Sequence, residues 1–527
     1  METLQRTANR GSVSTGDYEI ANSANLYGNE GYYKTPSSAG NQKTFTVSWW
    51  MKRTKLGTAQ RIWEAWDGSV GTSCLFTEDT DLFILDLNSG SNYFTSTGAF
   101  RDTAAWSHFV VAVDTTQSDA NNRVSIFHNG VALHNPDTSA GWNAQIGQNT
   151  DLTWNEDKLH RIGYFHNDDS FVAAYYADFA SIDGLKLDAT SFGEFDEDSG
   201  IWKPKDVSGL TYGTNGALLQ WQNAGSMGAI TAGNGGWSVE NQNQGDMAYD
   251  TPTNNFCTIN PISYNSAVSY LKGNVKVSKN QDNYGMFHGT HFVGGGKWYW
   301  ECKATDFGTY SGCMFGIIDA KKPTIDANSR GYEDPSLAVT NPEILIMSGS
   351  PNNWVMNSTG HIGNSGAINS VDYTFNEGDI LAMALDMDNG AFWFGCSRYS
   401  GVANGSFWVA PGGTTTSGSV ATTDPSNGHY ALVGDGGGTN EETPDFNGGT
   451  ITGGSLLTAG FELVTPIFGA YHSTTETTLE PNFGGFATYG NIVDRSYADA
   501  NGYGSFTYAV PAGFYALCSK NIGQYGG

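Results

Sequence analysis

TFTVSWW (residues 44–50) alternates polar and apolar side chains with a period of two, then runs into the charged tail of MKR (51–53). That period belongs to a strand with one face on a core, because successive Cβ atoms point to opposite sides of a sheet. Downstream, SHFVVAV (107–113) is a near-continuous apolar strand, and RVSIFHNGV (123–131) is a strand running into an Asn-Gly turn. Short strands at this spacing predict an antiparallel β-sandwich.

The pattern recurs further along. GKWYWECKA (296–304) alternates over nine residues, CMFGIID (313–319) follows, and DILAMALDMDNGAFWFG (379–395) reads as a hairpin around an Asn-Gly turn. Between the two patterned regions, 203–262 carries KPK, repeated Gly and Asn, and few apolar runs besides ALLQW (217–221). The expected organisation is therefore a polar arm or strap at 1–30, a first sandwich over 31–205, a Gly/Asn-rich linker at 206–262 and a second sandwich over 263–527. The weakly patterned stretches 320–370 and 411–455 are expected as long loop insertions on a rim of the second domain.

Composition agrees with an all-β chain. Among 527 residues there are 68 Gly, 13% aromatics and only 15% charged side chains, a mixture that favours strands joined by tight turns. The length calls for more than one core. With 53 acidic against 26 basic residues the formal charge is −27, so no basic stripe is present to neutralise phosphates and nucleic acid is excluded as a partner. Six cysteines (74, 257, 302, 313, 396 and 518) lack CxxC spacing and are expected as buried thiols, with Cys302 and Cys313 the one pair whose strands could be neighbours. The opening METLQRTANRGS has no apolar signal core, and no apolar run reaches the length of a membrane span. Folding in a cytosol and no membrane insertion are expected. The chain shows no heptads and no Gly-X-Y period, which argues for a compact body over a long fibre stalk.

YYKTPSSAGNQKTFTVSWWMKR (32–53), FRDTAAWSHFVVAVDTTQSDANNRVSIFHNGV (100–131) and ADFASIDGLKLDATSFGEFDEDSGIWKPK (177–205) together resemble the laminin-G-like, concanavalin A-like lectin domains. GKWYWECKA, GDILAMALDMDNGAFWF (378–394) and LEPNFGGF (479–486) resemble the SPRY family. With DTPTNNFCTINP (250–261) between them and DANGYGSFTYAVPAGFYALCSKN (499–521) at the end, the order is similar to lectin-plus-SPRY proteins of tailed phages, particularly of marine bacteria. The resemblance implies two concanavalin-like antiparallel β-sandwich (jelly-roll) domains, LamG-like then SPRY-like. It also implies a virion surface protein made in the host cytoplasm: a tail fibre, an adhesin for host attachment, or a capsid or tail decoration. Its partners would be other virion proteins, further copies of itself as a homo-oligomer, and a host surface polysaccharide or receptor. Two functions follow: carbohydrate binding by loop rims, or a purely structural connector.

The third reading is a glycoside hydrolase, since concanavalin-like sandwiches also carry paired carboxylates along a strand. Glu194, Asp196 and Asp198 would share a face at period two, but Gly193 and Gly200 beside them suggest a turn, and no catalytic residue is assigned. Asp386, Asp388 and Gly390 mimic an EF-hand opening, yet Ser397 stands where a bidentate Glu is needed. The ten His lack paired zinc spacing, with His160 and His166 read as turn or rim residues. TEDTD (77–81) and HNDDS (166–170) offer oxygen ligands for calcium through Asp79, Asp81, Asp168 and Asp169. Sugar binding needs aromatic faces beside polar groups. Trp63, Trp66, Trp142 and Trp154 are the candidates in the first domain, and Tyr310, Trp354, Tyr399 and Trp408 in the second. Trp298, Trp300 and Trp393 are assigned to the core.

Overall fold

The computed structural model describes residues 18–134, 138–167, 170–262, 268–279, 284–306, 313–319, 353–358, 361–364, 367–370, 375–399, 408, 462–471, 477–486 and 496–526. The chain divides into two units, the first ending at Asn255 and the second beginning at Phe256, with a short return to the first at Phe486. Its strands in the first unit are β1 (Ser23–Leu26), β2 (Gly31–Lys34), β3 (Thr44–Arg53), β4 (Gln60–Trp66), β5 (Gly71–Phe76) and β6 (Leu82–Asp86). Then come β7 (Tyr93–Ala99), β8 (Ser107–Asp114), β9 (Val124–His128), β10 (Val131–Ala132), β11 (Leu159–Ile162) and β12 (Ala174–Asp183). The last are β13 (Gly193–Phe195), β14 (Trp202–Pro204), β15 (Ala217–Leu219), β16 (Ala232–Gly233), β17 (Ser238–Glu240) and β18 (Met247–Ala248).

Two sheets form this unit. One runs β10-β9-β8-β3-β12-β1-β18, with β15 and β16 beside the second half of β12, and the other runs β17-β2-β11-β4-β5-β6-β7. Their facing rows make the core: Phe45, Val47, Trp49 and Met51 of β3 with Phe109 and Val111 of β8 against Trp63, Cys74, Phe76 and Leu85 of the opposite sheet. The expected hairpin at RVSIFHNGV is present, with Asn129 and Gly130 both at positive φ (47° and 77°) between β9 and β10. A side chain at Gly130 would strike the Trp202 indole, so the turn needs glycine on two counts.

The outward row of β3 is not left to solvent. Ser48, Trp50 and Lys52 are all buried, as is His108 on β8. Trp202 of β14 donates from Nε1 to His108 Nδ1 at 3.0 Å, and Trp106 and residues 250–255 lie over Lys52. Segments assigned above to an arm and a linker thus belong to the unit: β1, β15, β16 and β18 extend the β3 sheet, β17 extends the opposite one, and residues 250–255 lie over the outward row. Chain that is poor in apolar runs can cap a sheet through hydrogen bonds and single aromatics, which is why composition alone reads it as a spacer.

The second unit contains β19 (Val268–Leu271), β20 (Lys276–Lys279), β21 (Tyr284–His288), β22 (Lys297–Asp306), β23 (Met314–Asp319), β24 (Asn353–Asn357) and β25 (His361–Asn364). It continues with β26 (Ala367–Ser370), β27 (Ile380–Asp386), β28 (Ala391–Cys396), β29 (Val464–Tyr471), β30 (Thr477–Asn482), β31 (Tyr515–Ala516) and the helix α1 (Ser519–Tyr525). Its sheets run β19-β20-β30-β22-β27-β28, with β31 parallel to β22, and β21-β29-β23-β24-β25-β26. Trp298, Trp300, Phe315, Met383, Phe394 and Phe468 fill the space between them. The outer face of β22, β27 and β28 is covered too, by Phe506, Phe514 and Ala516 against Tyr299 and Trp393. All-β sandwiches are thus the architecture of both units. Part of the stretch expected as a loop insertion at 320–370 is strand instead, since β24, β25 and β26 fall within it and continue the sheet from β23; nearly all the rest of it and all of 411–455 lie outside the described residues.

Candidate functional site

The largest change between sequence and structure concerns the aromatics. Trp63 and Trp154 are fully buried and pack on each other at 4.7 Å between ring centres, so both belong to the core and neither is open to a sugar. A bulge in β4 explains Trp63: pairing with β5 slips between Arg61 and Trp63, turning Ile62 and Trp63 inward together. Trp408 is likewise buried, bridging to Gly395 and packing on Tyr299. Trp142 is half-buried against Phe94 and His134. Trp354 lies on β24 and Tyr399 in the turn after β28; Tyr310 is outside the described residues.

Trp66 does face outward, on the solvent side of the β4 sheet, where it is half-buried and the His166 ring stacks on it at 3.9 Å and 2°. His166 Nδ1 sits 3.3 Å from Glu64 Oε1. Burial pushes the Glu64 carboxyl above its ordinary value, with Arg61, His166 and Arg161 opposing. His166 thus covers one face of the Trp66 ring.

The calcium expectation meets a specific obstacle. Asp81, held at a positive φ of 53°, receives Gly57 N and Arg53 Nη2 on Oδ1, both at 3.0 Å, and Arg101 Nε on Oδ2 at 3.0 Å. Burial raises its pKa, but the Gly57 N–H and the two guanidinium groups outweigh that and hold the carboxyl below the usual range. Its oxygens are engaged by a backbone N–H and two guanidinium groups, whose positive charge opposes a cation at Asp81. Asp79 turns its carbonyl to Arg101 Nη2 at 3.1 Å, and Asp168 and Asp169 lie outside the described residues. Among the described residues no three His, Cys, Asp or Glu side chains gather closely enough to hold a metal ion.

The same ion-pair cluster walls a cavity of about 420 Å³ at one end of the first sandwich. Its floor is core: Met51, Phe76, Phe109 and Trp106. One wall is the run Ser96–Asp102, leaving β7, and the other is Ser107, His128 and Asn129. Arg53 crosses the floor with its guanidinium 4.0 Å above the Phe76 ring, donating from Nη1 to Phe100 O at 2.6 Å while its Nε has no partner. Arg101 stands at the mouth, a little over half exposed. Phe100 contacts the His128 ring at 5.0 Å, and His128 Nε2 lies 3.1 Å from Ser107 Oγ. An opening of this size with an apolar floor and a few convergent donors suits a small polar ligand with a hydrophobic side. Sequence reasoning missed it because its residues come from five separate segments; the one visible signal was the pair of arginines in MKR and FRD.

The acidic trio is resolved as a hairpin turn. Glu194 on β13 meets Lys205 at 3.2 Å and Lys203 at 3.5 Å, and Asp196, just past the strand, also reaches Lys203 at 3.6 Å while accepting Ser199 N at 2.9 Å. Glu194 and Asp196 are thus engaged by lysines at the turn. Asp386 similarly binds the backbone and side chain of Asn389, closing the β27–β28 hairpin. All six cysteines are free and buried.

Residues 27–180 match the concanavalin A-like lectin/glucanases superfamily (Laminin_G_3), a range that contains the whole cavity lining. No curated protein matches the chain. Solved structures similar to it include the SPRY domain of human HERC1, at 13% identity and TM-score 0.25, covering 42% of this chain and 96% of that one. A putative carbohydrate binding protein from Bacteroides ovatus is 12% identical with TM-score 0.30, covering 42% of this chain and 58% of that one. Domain 4 of AbnA, an extracellular arabinanase from Geobacillus stearothermophilus solved with arabinotriose, is 18% identical with TM-score 0.25, covering 34% and 81%.

Proposed function

We propose that the chain is a non-catalytic carbohydrate-binding protein of a tailed-phage particle surface, attaching to host glycan through its first unit and to other particle proteins or further copies of itself. The observation that carries this reading is the cavity between Arg53, Phe100, Arg101 and His128, set in the part of the chain that matches lectins and glucanases. Arginine donors suit hydroxyl and carboxylate groups of a sugar, while Phe100 and the floor suit its C–H face. The particle location is supported by the order of lectin-like and SPRY-like segments.

The test is binding of the purified chain to isolated host surface polysaccharide, with and without EDTA. Saturable binding that survives EDTA and falls about tenfold or more, some 1.4 kcal/mol, in Arg101→Ala is expected. Absence of saturable binding, or binding indifferent to Arg101→Ala and His128→Ala alike, would replace this reading with a purely structural particle protein.

A further inference from the structure

Lys52, on the outward row of β3, is about 1% exposed, in the company of Asp250 at about 1% and Asn255 at 0%. Its Nζ donates to Asp250 Oδ2 and, at 2.9 Å, to Asn255 Oδ1. The surroundings are aromatic: the ammonium lies 5.0 Å from the Tyr175 ring centre, and Trp106 Nε1 donates to Asp250 Oδ1 at 2.9 Å. Asn255 is fixed at its other end, Nδ2 donating to Ala104 O at 2.7 Å. An amine, a carboxamide and a carboxyl are thus held in contact in a place that water does not reach.

We propose that Lys52 and Asn255 form an intramolecular isopeptide bond, with Asp250 as the proton relay. Asp250 first takes a proton from the Lys52 ammonium. The amine lone pair then bonds to Asn255 Cγ, and the carbonyl electron pair moves onto Oδ1. Asp250 delivers its proton to Nδ2, the Cγ–Nδ2 bond breaks as the carbonyl re-forms, and ammonia leaves. The surplus proton on the new amide nitrogen returns to Asp250, so atoms and charge balance with no outside reagent. Contact distance replaces a bimolecular encounter, and exclusion of water removes the competing nucleophile. The Trp106 and Ala104 contacts aim the relay and the carboxamide. This inference is independent of whether the cavity binds sugar.

The test is the intact mass of the purified chain, denatured and reduced, with a peptide map. A mass lower than the sequence by one ammonia, and a branched peptide joining Lys52 to Asn255, are expected. The unmodified mass overturns the proposal, as does loss of one water with the branch at Asp250. Asp250→Asn keeps the shape but removes the relay, and should show the unmodified mass while retaining the wild-type circular dichroism. Ammonia loss persisting in a folded Asp250→Asn chain would overturn the relay.

Discussion

Each unit buries an acidic side chain under the outer covering of a central sheet, and the two are handled differently. In the second, Glu301 on β22 accepts from Tyr299 OH, Asn482 Nδ2, Thr507 N and Tyr508 N, all between 2.8 and 3.0 Å. All four donors are neutral. Burial still pushes its carboxyl up, against those bonds. In the first, the Asp250 carboxylate accepts from the Lys52 ammonium and from Trp106 Nε1, and the same ammonium also donates to the Asn255 carboxamide. A ring of neutral donors satisfies a carboxyl and leaves nothing to react. An amine beside an acyl group leaves a reaction open. The lesson is that burial alone does not set the chemistry of a buried acid; the identity of its donors does.

Removing one partner from each cluster should break the contrast most visibly. Lys52→Met strands Asp250 without its cation and should cost about 3–5 kcal/mol in the urea unfolding of the first unit. The lost cross-link, closing about 200 residues, adds about 5 kcal/mol on the chain-entropy account. Glu301→Leu leaves four donors without an acceptor and should cost about 3 kcal/mol or more in the second unit's transition, with Glu301→Gln recovering part of it. Equal losses for Glu301→Leu and Glu301→Gln would show that packing, not the donor ring, is what Glu301 supplies.

Within the first unit, buried groups also differ in the sign of their response to pH. Burial pushes the Asp178 carboxyl up from 3.8 to about 6, against hydrogen bonds from Gln220 and Tyr18. The folded chain therefore holds that proton more tightly, and the stability it lends below about pH 4 is lost as pH rises through 6. Burial pushes His108 and His160 down from 6.5 to about 3, so their contribution is present above pH 6.5 and lost as pH falls toward 3. At one pKa unit per 1.36 kcal/mol, the stability difference between wild type and Asp178→Asn should shift by up to about 3 kcal/mol between pH 4 and 7. A flat difference across that range would mean the carboxyl is not perturbed. The smallest stability effect is expected for Arg101→Gln: half exposed, it should change unfolding by less than about 1 kcal/mol. Sugar binding should nonetheless drop, which separates recognition from folding.

Much of this architecture was legible in the residues. The alternation at 44–50 and 296–304 and the hairpin at 379–395 gave strands, partners and class, since a period of two has few other readings. What escaped was the outer covering. DTPTNNF (250–256) reads as a spacer because its work is done by Asp250 and Asn255 across about 200 residues of chain, a separation that no local pattern records. A hint was nevertheless present: Trp50 and Lys52 occupy the outward row of β3, and a tryptophan in an outward position asks for a cover. Trp63 was misassigned for a smaller reason, a one-residue bulge that reverses which side a residue faces. The cavity was opaque because it is assembled from strand ends.

Asn255 is also where the long first segment of the first unit ends. Tension applied to the chain beyond it would, without a covalent link, be resisted by the short pairing of β18 with β1, two residue pairs long. With the link, the same pull passes at Lys52 into β3, whose ladders to β8 and β12 lie in the middle of the sheet. The load path then runs through the long central ladders of β3, and peeling the chain back past Asn255 would require breaking a covalent bond first.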